Sequence, residues 1–356
     1  MMGKLEQLIA ERGSGVAIVE RVTGREPLGS WPGARGRATF WIHAPRPGGE
    51  LRRALLTVGV ETVQGAATPV RARVRLNGAG VTREIRPQFA VELDDTMYYK
   101  AVYDVTPILR SRHARQGLHK LQVFYDLAQP LYFRDATLII IASTGKAEYA
   151  LSALTGAKVL EPGEVTVEYP SFYETFGGER RATLTIHSPY HESGFEVVVA
   201  GYRAGPLQGS GSFPVSVEFR YGGSLVPVSV KYLPAPYSFY PKRAVVTDIV
   251  LEEVRLPRID IDLSVEAAKI EGGKLVVEVG VENRSEVSIE RPTIAVVALG
   301  GQLSSHRLRE LPPGSGARAR LIASIERLPV RPSTILVSFS GYALGRRIER
   351  GETVQL

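Results

Sequence analysis

The chain has 356 residues, 44% hydrophobic and 23% charged, with a net charge of +7, the proportions of a globular protein with two or three separate cores. It has no cysteine, which excludes disulfides, thiolate metal sites and a cysteine nucleophile. No apolar run approaches the roughly 20 residues of a membrane-spanning helix, and Glu6 and Glu11 stand where a signal peptide needs apolar residues, so a cytoplasmic location is expected.

The N-terminal residues Leu5, Leu8 and Ile9 stand at helical spacing ahead of Gly13 and Gly15, which predicts one short helix over residues 1–14. From Gly15 the period becomes two. Val16, Ile18 and Val22 open it, followed by Ala38–Ile42 and Leu51–Thr62. The run Val70–Leu76 then alternates strictly, which sends Arg71, Arg73 and Arg75 to one face and Val70, Ala72, Val74 and Leu76 to the other. Residues 15–145 hold no helix long enough for a parallel crossover, so the sheets should be antiparallel.

Three local signals follow in order. Asn77-Gly78 suits a tight turn with positive φ. Asp104-Val105-Thr106-Pro107-Ile108-Leu109 suits a short turn capped by Thr106, with Pro107 at its first position. Gly117 then restarts the chain into Leu118–Tyr125. This ordered set resembles the galactose-binding-like jelly roll, the fold of sugar-binding sandwiches that accompany glycoside hydrolases and of similar modules in archaeal surface proteins. The resemblance implies a domain over 15–145 that binds more often than it cleaves. It also implies loop carboxylates able to hold a structural Ca²⁺, with Asp94 and Asp95 as the candidates.

Residues 146–256 read as a second β-sandwich of unassigned topology, with strands near 165–169, 182–187, 195–200, 215–221, 226–233 and 244–253 and a flexible loop at Gly205–Gly211. Arg255-Leu256-Pro257-Arg258 reads as a hinge. Residues 257–356 show about seven short strands, the pattern of an immunoglobulin-like sandwich. The run Leu275–Asn283 followed by Leu311-Pro312-Pro313-Gly314 resembles adhesion-type modules of that class. The expected architecture is thus all-β: three consecutive antiparallel sandwiches and one short N-terminal helix.

No nucleophile elbow, phosphate loop or dinucleotide fingerprint is present. His187, His191 and Glu192 have metal-ligand chemistry, but Pro189 and Gly194 deny them a shared helix face. Glu92, Asp94, Asp95, Asp126 and Asp135 could supply a glycosidase carboxylate pair only at a separation that the sequence cannot fix. Trp31 reads as an exposed stacking or anchor residue and Trp41 as core.

Charge adds a direction. Residues 1–145 carry +7, residues 146–256 carry −2 and the remainder +2. Arginine outnumbers lysine 35 to 9, which fits anion recognition by planar guanidinium groups, genome composition, or a thermophile habitat. The candidate ligand surface is Trp31, Arg71, Arg73, Arg75, Tyr98, Tyr99, Arg110, Arg112, Arg115 and His119. The leading reading is a non-enzymatic binding or structural assembly protein that self-assembles or takes a protein partner. The alternatives are a carbohydrate-binding or glycoside-active protein, and a binder of nucleic acid or another polyanion. No cofactor is expected beyond the structural Ca²⁺.

Overall fold

The computed structural model describes residues 3–25, 27–30, 35–44, 49–63, 70–111, 117–172, 175–177, 179–189, 193–234, 243–326, 328, 330–344 and 346–356. The chain divides into two compact units, Met1–Arg255 and Leu256–Leu356. All strand pairings within the named sheets are antiparallel, as the absence of crossover helices requires. Among the described residues no helix is long and apolar enough to cross a membrane.

The first unit holds four sheets. An outer sheet is built from β4 (Arg37–Ile42), β10 (His119–Phe124), β6 (Arg73–Leu76) and β7 (Ala79–Thr82), in that order. It packs on an inner sheet of β2 (Val16–Thr23), β11 (Leu131–Ser143), β5 (Glu50–Val63), β9 (Thr96–Asp104) and β8 (Phe89–Leu93), with β3 (Pro27–Leu28) beside β11. Between them lies one core, with Leu76, Leu121 and Val123 from the outer sheet meeting Leu56, Val58 and Leu138 from the inner.

A second inner sheet consists of β1 (Leu5–Ser14), β12 (Glu148–Leu160), β19 (Ala244–Arg255), β14 (Glu179–Ser188) and β17 (Gly211–Phe219). It packs on a fourth sheet of β13 (Val165–Glu168), β18 (Val228–Pro234), β15 (Ser193–Val199) and β16 (Tyr202–Gln208). Phe195, Val197, Val230, Leu184 and Ile249 share that second core. The two inner sheets also face each other. Val91, Leu93 and Tyr98 on one touch Ala157 and Val245 on the other. Strands β5, β11, β12 and β19 are therefore buried on both faces along most of their length.

The local signals of the first sandwich act as their chemistry suggests. Asn77 and Gly78 both take positive φ, 53° and 86°, the two-residue hairpin geometry that closes β6 on β7. The helix α1 (Thr106–Arg110) has Pro107 in its first turn. Thr106 does not cap it, because Val105 occupies that position. Instead the Thr106 hydroxyl accepts the Ala54 N–H at 2.8 Å, and Asp104 accepts the Thr106 N–H at 2.8 Å. Val105 and Leu109 are buried in the first core, so the segment closes that end of the sandwich.

Two expectations fail for identifiable reasons. Where a helix was expected over residues 1–14, Leu5–Ser14 form strand β1, which pairs with β12 along its length. A four-residue spacing such as Leu5 to Ile9 fits both a helix and a strand, and only Leu8 pointed to the helix. Leu8 falls where the register skips between Gln7 and Ile9, so it is the extra residue of a bulge. The expected loop at Gly205–Gly211 is largely strand β16, paired with β15 up to Gln208.

The second unit is a sandwich of two sheets. One orders β20 (Ile261–Glu271), β21 (Lys274–Asn283) and β24 (Gly316–Ser324). The other orders β23 (Gly301–Arg307), β22 (Glu290–Ala298), β25 (Thr334–Ala343) and β26 (Arg346–Gln355). Its core includes Leu275, Val277, Ile294, Val296, Val337 and Phe339.

Candidate functional site

Titratable side chains collect in two places in the first unit, and the two differ in kind. The first is the plane between the inner sheets. Lys100 on β9 is fully buried and pairs with Asp135 on β11 and, at 2.7 Å, with Asp248 on β19. Asp248 also accepts from Thr137 at 3.0 Å and Thr155 at 2.7 Å, and Asp135 accepts from Tyr98 at 2.8 Å. Thr247 has no partner opposite it on β14, where the register skips between Thr185 and Ile186. Such a bulge re-aims the side chains beside it, and here Asp248 faces the other sheet. A Cβ at Gly59 would collide with the Tyr98 hydroxyl and the Asp135 carboxylate, so glycine is required to seat the network.

Burial governs the electrostatics. It would lower the Lys100 pKa, but the facing carboxylates Asp135 and Asp248 outweigh it and raise the value. Burial would raise the pKa of Asp248, and Lys100 and Arg21 reverse that. For Tyr98 burial, Asp135 and Asp248 all push the pKa well up, and the Thr247 hydrogen bond opposes them only weakly.

A second cluster lies in the same plane. Glu61 on β5 accepts from Arg134 at 2.5 Å and pairs with His187 on β14 at 2.9 Å. The other ring nitrogen of His187 lies 3.2 Å from the Ser212 hydroxyl on β17. Burial would raise the Glu61 pKa, but the His187 hydrogen bond and the charges of His187 and Arg134 hold it down at about 2. Ser212, His187 and Glu61 are the residue types of a hydrolytic triad. They are 5%, 0% and 1% exposed, and Glu61 is already bound by Arg134, so a substrate carbonyl has no access to Ser212 without separation of the sheets. The arrangement serves cohesion between layers.

The second place is the outer face of the sheet β4–β10–β6–β7. Alternation points Arg37, Thr39 and Trp41 outward from β4, Lys120, Gln122 and Phe124 from β10, and Arg73 and Arg75 from β6. The guanidinium groups of Arg37, Arg73 and Arg75 all lie over the Phe124 ring, at 5.9, 5.7 and 5.4 Å from its centre. Lys120 lies 5.6 Å from the centre of the Trp41 ring. The carboxylate that an ion pair places here is Asp126, 3.6 Å from Arg73 and largely exposed.

Beside α1 there is also a depression of about 430 Å³ lined by Glu11, Arg52, Arg53, Asp104, Thr106, Pro107 and Arg110. Its cations are partly engaged. Arg110 donates to the Leu51 and Arg52 carbonyls, and Arg52 to the Tyr149 hydroxyl.

The residues expected from the sequence separate accordingly. Trp31, Arg112, Arg115, His191 and Glu192 lie outside the described residues. Arg71, Arg73 and Arg75 are exposed, the last two on the cation-rich face. Tyr98 and Tyr99 are interior, 0% and 2% exposed, because β9 is covered on both sides. His119 is also buried, against Asn77. None of these three belongs to a surface. Trp41, expected in the core, is 49% exposed, because its neighbours Phe40 and Ile42 take the inward positions of β4. Asp94 sits in the β8–β9 turn with φ 58° and accepts the Arg243 N–H at 2.9 Å. Among the described residues no group of three or more His, Cys, Asp or Glu side chains could hold a metal ion. Sequence reasoning grouped Lys120 with the arginine row but missed Phe124 and Arg37 as its partners, although the alternation of β4 and β10 was available to place them.

No protein-family model matches the chain, and no curated protein matches it. Among solved structures it is similar to a β-glucuronidase of Ruminococcus gnavus, at 12% identity and a TM-score of 0.22, over 59% of this chain and 36% of that one. The apo form and the complex of that enzyme with D-glucuronic acid match at 13% identity with the same TM-score and coverage. The chain thus spans about a third of the length of these structures. A likeness at this level decides neither fold nor chemistry here.

Proposed function

We propose that the chain is a non-enzymatic binding or assembly protein whose partner surface is the outer face of its first sandwich. One observation carries the reading. Between the inner sheets the buried carboxylates Asp135, Asp248 and Glu61 are met by Lys100, Arg134 and His187, whereas among the described residues four cations and two aromatic rings share the outer face with a single ion-paired carboxylate. Surplus charge beside partly exposed rings is what a partner of opposite charge would neutralise. The galactose-binding-like character of this sandwich belongs to the same proposal and rests on the Asn77-Gly78, Asp104–Leu109 and Gly117–Tyr125 signals.

Affinity isolation with the whole chain, set against Arg75→Glu with Lys120→Glu, tests the reading. A partner recovered by the native chain and lost by the variant supports it. Equal recovery by both, or a partnerless monomer by light scattering, overturns it.

A carbohydrate partner is the second reading, favoured by Trp41, whose half-exposed ring has the character of a sugar-stacking platform. Binding on a glycan array that disappears with Trp41→Ala would establish it, and a blank array would remove it.

A further inference from the structure

We infer that the outer face of β4–β10–β6–β7 binds single-stranded nucleic acid, an inference that rests on the partner surface proposed above and names its occupant. Unspecific recognition of single strands needs a cationic track for the phosphates and exposed rings on which bases stack. The sequence offered only the cations, since Arg73 and Arg75 have no aromatic neighbour in their own strand. Pairing in the sheet supplies the rings: Phe124 stands opposite Arg37 on one side and Arg73 on the other, and Trp41 stands opposite Lys120.

The spacing fits an extended strand of nucleotides. Phe124 and the Lys120–Trp41 pair are four residues apart on β10, about 14 Å along the strand. Each ring has its own cation, three guanidinium groups at Phe124 and one ammonium at Trp41. Between them lies Thr39, exposed and with a hydroxyl able to meet a base edge, while its register partner Gln122 is buried. Guanidinium forks pair with phosphate oxygens in bidentate fashion. Charge complementarity thus selects an anionic polymer, and two rings with a hydroxyl between them favour one that carries flat bases. A sulfated or uronate glycan would satisfy the cations and lay one sugar face on Trp41, but it brings no flat base to the Phe124 ring and its three guanidinium groups. A rigid duplex keeps its bases stacked on each other and offers none to the rings.

The test is fluorescence anisotropy of the full chain with a labelled 12-nucleotide oligothymidylate. If three to four phosphates are neutralised, the Kd should rise about 20- to 50-fold between 50 and 200 mM salt. Replacing Arg37, Arg73 and Arg75 together by Ala should flatten the log–log salt slope by about 2. Trp41→Ala should weaken binding about 5- to 100-fold with the slope unchanged, and Phe124→Leu should do the same with less effect. Thermal melts by circular dichroism confirm that each variant is folded. Three results overturn the inference: no binding at 50 mM salt, equal affinity for a 12-base-pair duplex, or affinity indifferent to Trp41→Ala while heparin displaces the oligonucleotide. In each case the broader reading stands or falls separately, on whether the charge-reversed variant loses its isolated partner.

Discussion

Lys100 and Arg75 are cations on strands of the same sandwich, and their surroundings are opposite. Lys100 is sealed between two sheets with a carboxylate from each. Arg75 is exposed and lies over a shared aromatic ring, with no ion pair among the described residues. A buried pair gains little stability over an apolar replacement of equal volume, yet it becomes expensive when one member is removed. Such a pair therefore chooses between arrangements more than it adds strength. Asp248 can meet Lys100 only if the two inner sheets stack in one registry, and that is a role the exposed arginines cannot have. The contrast ties the interior charges to architecture and leaves the exterior ones free for the partner proposed above.

Breaking the buried side should give the largest effect. Lys100→Met leaves Asp135 and Asp248 without their bridging cation, with only the field of Arg21 near them, and should cost about 3–5 kcal/mol in urea-induced unfolding. Replacing Lys100, Asp135 and Asp248 together by Met, Leu and Leu should cost clearly less than the single change. If the triple replacement were the worse, the network would be a source of net strength and the registry argument would fail. Gly59→Ala should resemble the single Lys100 change, because its methyl group displaces Tyr98 and Asp135.

Acid probes the same plane through a different cluster. The Glu61 carboxyl sits at about 2 in the folded protein, below its unfolded value of roughly 4.5. Its contribution is therefore complete above pH 4.5 and is lost as pH falls toward 2. Linkage puts the loss at about 3 kcal/mol. Denaturation midpoints between pH 2 and 5 should show it, and Glu61→Gln should remove that part of the pH dependence. Glu20 gives the opposite sign. Burial, with Glu252 nearby and Arg181 opposing, raises its carboxyl to about 7. The stability that it holds as a neutral group is complete below pH 4.5 and lost as pH rises through 7. Glu20→Gln should thus stabilise the protein at pH 8, by roughly 1–2 kcal/mol once solvent screening is allowed for.

The legibility of the fold followed the same division. Strands with one face in water announced themselves: Val70–Leu76 alternates visibly, and its arginines stand where the alternation puts them. Strands with both faces covered did not. Glu148–Leu160 was not among the expected strands, because a strand between two cores shows no polar face. Asp248 carried no signal and His187 was noticed only beside His191 and Glu192, because their partners Lys100 and Glu61 lie more than a hundred residues away in another sheet. Trp41 was legible and misread. Its position between Phe40 and Ile42 already made it the odd member of an alternating run, but tryptophan is so often interior that its chemistry outweighed its place.

The exposed side should yield the smallest change in stability, and this gives the comparison its sharpest form. Arg73→Ala and Arg75→Ala remove contacts to Phe124 and leave no buried group unpaired, so each should fall within about 0.5 kcal/mol of the native chain. Trp41→Ala loses its Lys120 contact and part of its covered surface, so about 1 kcal/mol is expected. These are the substitutions predicted to weaken ligand binding most. A residue that matters to a partner but hardly to the fold satisfies a surface role, and thermal melts beside binding curves on the same samples measure both quantities. If Arg75→Ala instead cost as much as Lys100→Met, its guanidinium would be an element of the sandwich, and the excess of positive charge on that face would lose its claim to recognition.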